Sequence, residues 1–273
     1  MTYDFKDELK TGVTNGVPPY MVKTSYLWTA SDPTFAAVNG DDWLPDLAIG
    51  RLPVSSPEEA AKLAEKIIRF ESGGYVFGDA PVVLVTDNAD AAGDFDANAD
   101  ELAQGLLSRF DPVRLSLSAL GRDPMRDAIV RSFDDGASLI SYIGHGGIHL
   151  WASENIFNRS DVALLSAQPR QPLLLTMNCL NGYFHFPYFD SLAEALVTAE
   201  DRGAVAAFSP SGLSLDEPAH RFHKILLEAL LDEENMRLGD AVLAAQKGYL
   251  ETGAFPELLR IYHLFGDPAL TLR

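Results

Sequence analysis

Cysteine is nearly absent: Cys179 is the one thiol in 273 residues. That excludes an internal disulfide framework, and a lone thiol cannot build a thiolate-rich metal site. Cys179 is therefore either inert packing or a reactive group. Basic side chains are also few. Against 39 Asp and Glu stand 21 Lys and Arg, for a formal net charge of −18. Binding nucleic acid requires clustered cations to neutralise phosphates, so no nucleic-acid partner is expected. The negative balance serves solubility and would raise the local concentration of cationic partners. Long apolar runs are missing as well: none reaches the ~18 residues of a membrane helix. The opening MTYDFKDELKTG has no basic region followed by an apolar one, so no signal peptide is expected in this stretch. A piece of a longer secreted precursor is compatible with that.

What the sequence does hold is core material: 47% of it is hydrophobic, enough for one large domain or two small ones. Helix-like and strand-like segments alternate, which predicts an α/β fold. Residues 1–45 are rich in Gly, Pro, Asp and aromatics and read as irregular structure with a short strand or two. PDLAIGRLPV holds a short strand that breaks at Gly50. SSPEEAAKLAEKIIRFES then opens a helix, with Ser56 as N-cap, Pro57 at the first position and Glu59 at the third. The connector GGYVFGD marks a boundary between residues 1–78 and 79–273. Beyond it PVVLVT, VRLSLS, ASLISYI, PLLLTM and GAVAAFS read as strands. Helices are predicted around 97–109, at PMRDAIVRSF and SLAEALVTAE, and near 217–231 and 238–252. Strand, helix, strand in series implies a mainly parallel sheet with right-handed crossovers and helices on both faces.

In such a sheet the ligand site lies beyond the carboxyl ends of the strands. Asp87 and Asn88 follow PVVLVT, Gly144, His145, Gly146 and Gly147 follow ASLISYI, and Asn178 and Cys179 follow PLLLTM. Cys179 and His145 thus hold matching places on two successive strands. If those strands are neighbours, their tips lie about 5–10 Å apart, given a strand spacing of ~4.8 Å. A thiol with a reference pKa of about 8.5 is mostly neutral at pH 7, and an adjacent imidazole is the usual activator. Glycines beside His145 would let a scissile carbonyl approach, with the amides of Gly146 and Cys179 as oxyanion donors. A buried packing cysteine and a solvent-facing histidine explain the same residues. Pattern alone leaves both readings open.

SLISYIGHGGIHLW followed by PLLLTMNCLNGYF resembles the gingipain-type cysteine peptidases, peptidase family C25. Their clan also holds caspases and legumain, with His-Gly after one strand and a cysteine after the next. DDWLPDLAIGRLPVSSPEEA is similar to the family's Asp-rich segment leading to Gly-Arg-Leu/Phe-Pro, and SLAEALV and FGDPALTLR to its later landmarks. The likeness spans nearly the whole chain. It implies a caspase-like three-layer sandwich, with 1–78 as a shortened leading subdomain and 79–273 as the catalytic one. It implies a peptide or protein substrate, Cys179 as nucleophile, His145 as general acid–base, Gly146 and Cys179 as oxyanion donors, and Asp87 as the acid that supports the histidine.

Family enzymes that cleave after Arg or Lys carry an aspartate at the base of the P1 pocket. That position falls on Asp96, where a carboxylate would pair with a P1 cation; an acid at a helix N-terminus is also favourable for its own sake. Trp151 matches a pocket-wall tryptophan of the arginine-cleaving members. In SPSGLSLDEP, Leu215 stands where the family has a tryptophan lid, which removes a cation–π cap of about 0.5–2 kcal/mol. A basic P1 residue is the expected preference. The resemblance also implies a bacterial protein, secreted or at the cell surface, with no cofactor needed for catalysis. Family members bind structural calcium, for which DNADAAGDFDANADE supplies carboxylates, though without an EF-hand register. The rival expectations are a catalytically silent binding or scaffold module and a self-processing protease that needs activation. His145 and His149 have the i, i+4 spacing of a zinc pair, but in a Gly-Gly turn rather than on a helix, and no G-x-S-x-G supports a serine hydrolase.

Overall fold

The computed structural model describes residues 6, 9, 15–40, 42–232 and 237–272. A short hairpin, β1 (Met21–Lys23) and β2 (Trp28–Ala30), precedes helices α1 (Pro33–Ala36) and α2 (Pro57–Ser72). Then come β3 (Val82–Thr86), α3 (Phe95–Gln104), β4 (Val113–Ser116), α4 (Leu117–Leu120), α5 (Arg122–Asp134) and β5 (Leu139–Ile143). A second hairpin, β6 (Leu150–Trp151) and β7 (Phe157–Asn158), leads to β8 (Leu173–Met177), α6 (Leu192–Thr198) and β9 (Ala206–Pro210). Helices α7 (Asp216–Leu231), α8 (Leu238–Glu251) and α9 (Leu258–Ile261) precede β10 (Tyr262–Phe265).

Six strands form the central sheet in the order β10-β9-β8-β5-β3-β4. Neighbours from β9 to β4 pair in parallel, and β10 is antiparallel to β9 at the edge. Every residue of β3, β5, β8 and β9 is buried, the pattern of strands covered on both faces. The chain leaves β3 toward β4 on one side, then crosses back to β5, β8 and β9 on the other. Right-handed crossovers running in opposite directions place their helices on opposite faces, which gives three layers. The reversal makes the gap between β3 and β5 a topological switch point, and the carboxyl ends of the strands there form a crevice.

Local chemistry explains the element ends. Ser56 accepts from the Glu59 amide at 3.1 Å, the predicted cap of α2, worth about 1 kcal/mol. The stretch VRLSLS is a strand only as far as Ser116, whose hydroxyl caps α4 by accepting from Ala119. The helix expected around 97–109 runs from Phe95 and ends at Gly105. In PDLAIGRLPV a single residue pairs: Arg51 donates to Leu264 and accepts from Gly266, adding one bridge outside β10. A Cβ on Gly50 would meet the Gly266 carbonyl at 2.4 Å, so this approach requires glycine there.

The polypeptide on either side of Gly78 shares one apolar core. Met21, Leu63, Ile67 and Phe70 belong to the same buried cluster as the strands of the sheet. Arg51 clamps Asp32 through two bonds of 2.6 and 2.7 Å, both side chains being buried. Burial alone would raise the Asp32 carboxyl, but Arg51 and His263 outweigh it and hold it well below the usual carboxylate range.

Candidate active site

Three neighbouring strand tips build the site. Register aligns Thr86 with Ile143 and Ile143 with Met177, so β3, β5 and β8 end level with one another. The residues just beyond are an acidic loop, the His145 turn and Asn178-Cys179. Two glycines allow these tips to dock closely. A Cβ on Gly144 would fall 2.3 Å from the Asp87 Cβ, and one on Gly146 would fall 2.3 Å from Asn178 Nδ2 and 2.7 Å from the Cys179 carbonyl. The glycine flanks of His145 therefore serve loop packing.

Two aspartates hold His145 at different places. Asp87, buried at the end of β3, accepts from the His145 backbone amide at 3.0 Å and from Asn88 at 2.9 Å. Burial raises its carboxyl, and those two amides oppose the rise. The imidazole ring pairs with Asp90 instead: Nε2 lies 2.9 Å from Oδ2. The Ala92 amide and the ring keep Asp90 below the usual carboxylate range, so it is a carboxylate at neutral pH. Phe95 meets the ring edge-on at 5.5 Å between centroids. With Nε2 on Asp90, Nδ1 is the nitrogen left for proton transfer.

Cys179 Sγ sits between the backbone groups of Ser214, accepting from the amide at 3.3 Å and donating to the carbonyl at 3.5 Å. Burial pushes the thiol up, and the Ser214 amide pulls it part of the way back. His145 and Cys179 line one cleft of about 40 Å³ without a hydrogen bond between them. No described residue accepts from the amides of Gly146 or Cys179, which leaves both donors open to a ligand. Leu180, next in the chain, has φ 64°, a left-handed conformation that turns the backbone sharply away behind the thiol.

The other sequence candidates divide. Leu215 lines the cleft and is half exposed at its rim. Asp96 lies in the first turn of α3, where its two oxygens accept from the Thr86 and Ser116 hydroxyls, and it is not among the cleft residues. Trp151 is fully buried, stacked on Tyr142 at 4.6 Å, with its N–H on Asn181; it underpins the His145 turn from within the core and lines no part of the cleft. Residues that sequence reasoning missed are Asp90, Ser214 and Asp216. Asp90 is one acid in an acidic loop, and no local signal separates it from Asp87 or Asp94.

The acidic loop does not fit a calcium ion. Among the described residues no group of three His, Cys, Asp or Glu side chains is placed to hold a metal. The carboxylates of the loop and of α3 are engaged one by one: Asp90 with His145, Asp94 with the cap of α3, Asp100 with Arg114 and Glu101 with His220 and Lys224. His149 is exposed against Phe189 and belongs to no such group. No helix among the described residues is long and apolar enough to cross a membrane.

Known proteins resemble this chain over most of its length. Gingipain R2 of Porphyromonas gingivalis is 23% identical over 261 residues, covering 89% of this chain and 35% of its own length. Gingipain R1 of the same organism is also 23% identical, and 26% of its length is covered. This chain therefore spans about a third or less of those relatives. The crystal structure of the Arg-specific cysteine proteinase gingipain R superposes with a TM-score of 0.77 at 22% identity, over 90% of this chain and 60% of that one. The separase of the Saccharomyces cerevisiae separase–securin complex shares the caspase-like α/β fold, with a TM-score of 0.56 at 16% identity over 82% of this chain and 14% of that one. The profile of peptidase family C25 matches residues 1–273, and the chain accordingly belongs to that family of gingipain-type cysteine endopeptidases.

Proposed function

We propose that this chain hydrolyses peptide bonds through Cys179 and His145, with a preference for a basic P1 residue. The observation that carries the reading is the cleft itself, which the Cys179 thiol and His145 line together at adjacent strand tips, with the imidazole Nε2 on Asp90 and the Cys179 amide accepted by no described residue. His145 takes the thiol proton as sulfur bonds to the scissile carbonyl carbon. The oxyanion then draws on the Gly146 and Cys179 amides. Collapse breaks the C–N bond, and the imidazolium passes its proton to the leaving amine. Water, deprotonated by His145, attacks the thioester and releases the acid and the thiol. Asp90 holds the ring in register for both transfers, and Asp87 anchors its backbone. No step draws on a metal or cofactor.

The basic preference rests on the likeness to a proteinase described as Arg-specific and on the acidic surroundings of the cleft. The family resemblance also supports a location outside the cell or on its surface, which cell fractionation would check. One observation favours a rival form: the thiol is held by Ser214 rather than by His145, as in a protease awaiting substrate or activation.

Acyloxymethyl ketones with P1 Arg, Lys, Asp or Asn test the proposal. Labelling of Cys179 by the basic probes is expected, lost in Cys179→Ala and in His145→Ala. Labelling by the Asp or Asn probes alone would keep the chemistry and overturn the basic preference. A folded wild type that no probe labels would favour a silent module.

A further inference from the structure

Two aspartates compete for the role of reading the P1 side chain. Asp96 has both oxygens engaged by hydroxyls and lies outside the cleft. Asp216, the first residue of α7, lines it together with Cys179 and His145. Three elements grip Asp216. Asn98 of α3 donates from Nδ2 to both carboxylate oxygens, at 2.9 and 3.1 Å. Gly93 lies so close that a Cβ there would fall 2.2 Å from Oδ2. The start of α7 favours a negative charge at that point. Burial raises the carboxyl; Asn98 and His220 oppose this, while Asp94 and Glu217 add to it. A cation arriving in the cleft would oppose that rise as well.

A second, independent observation points to a hydrogen-bond donor as the ligand. Asn178 lines the same cleft, is 3% exposed, and its Oδ1 has no hydrogen-bond partner. Unpaired buried oxygens are costly, and a donor-rich ligand group would relieve this one. No lysine or arginine lines the cleft, and its remaining wall includes Leu215 and Phe95, apolar surface suited to a methylene stem. We infer that Asp216, rather than Asp96, is the carboxylate that pairs with a cationic P1 side chain, with Asn178 Oδ1 accepting a second hydrogen bond. This rests on the peptidase reading above and names its specificity residues.

The test has two arms. In the first, Cys179→Ala protein is titrated with N-acetylarginine amide and with its neutral isostere N-acetylcitrulline amide, read by calorimetry. The arginine compound is expected to bind tighter by at least about 10-fold, and Asp216→Asn in the same background to abolish the difference. In the second, protein with an intact Cys179 is assayed on matched P1-Arg and P1-citrulline peptides. Asp216→Asn is expected to cut the ratio of their kcat/KM values roughly 10²-fold. Cation preference that survives Asp216→Asn, or that disappears with Asp96→Asn instead, overturns the assignment. If the wild type cleaves neither peptide, the peptidase reading fails, and the binding arm still decides the role of Asp216.

Discussion

Asp90 and Asp87 show how two carboxylates three residues apart can do different work. Asp87 is spent on a backbone amide, so it determines where the His145 turn sits. Asp90 faces the ring and determines which imidazole nitrogen is available. Asp90→Asn is therefore expected to lower kcat roughly 10- to 10²-fold while KM changes little, and Asp90→Glu to restore part of the loss. Steady-state kinetics on a cleaved peptide separates these outcomes; a loss confined to KM would mean that Asp90 binds substrate rather than positions the ring. At this scale the sequence revealed less than it contained. His145 and Cys179 were legible because glycine flanks and strand ends are local features. The pairing of Nε2 with Asp90 was not, because it depends on how the eight-residue acidic loop between β3 and α3 folds back toward the neighbouring strand tip.

The buried Arg51–Asp32 pair ties the leading segment to the sheet, since Arg51 also bridges β10 and its guanidinium covers the Phe184 ring at 4.1 Å. Removing one member leaves the other charge uncompensated in the core, which costs about 3–5 kcal/mol. Asp32→Asn should show such a loss in urea unfolding at pH 7. Because the folded-state pKa of Asp32 is depressed, its stabilisation is complete above the unfolded value of about 3.9 and is lost as the pH falls through the folded one. The wild type should lose stability steeply below about pH 4, and the variant less so, as the same titration would show. Element positions were mostly readable: the five parallel strands, the cap of α2 and the long helices all follow from runs and caps. Strand β10 was not, because an edge strand of YHLF has no periodicity of its own and is defined by the partner it finds in β9.

For the whole molecule, the charge of −18 and the topology of the sheet act together. An acidic protein draws cationic peptides toward its clefts, and added salt screens that attraction beyond a Debye length of about 10 Å at 0.1 M. On a P1-Arg peptide, kcat/KM should fall several-fold between low and high salt, and on a P1-citrulline peptide hardly at all. An equal salt response of the two would remove long-range attraction from the account.

Class and strand order along the chain were legible in local pattern, which also singled out Cys179 and His145 as candidates, because burial period, caps and glycine turns are written in contiguous residues. Which carboxylate faces the ring, which faces the cleft, and why Trp151 lies in the core depend on contacts between residues distant in sequence. Asp216 and Asn98 are 118 positions apart, and only the packing of α7 against α3 brings the two to one point. Long-range juxtaposition of that kind follows from how the layers close on one another, and no stretch of sequence taken by itself contains it.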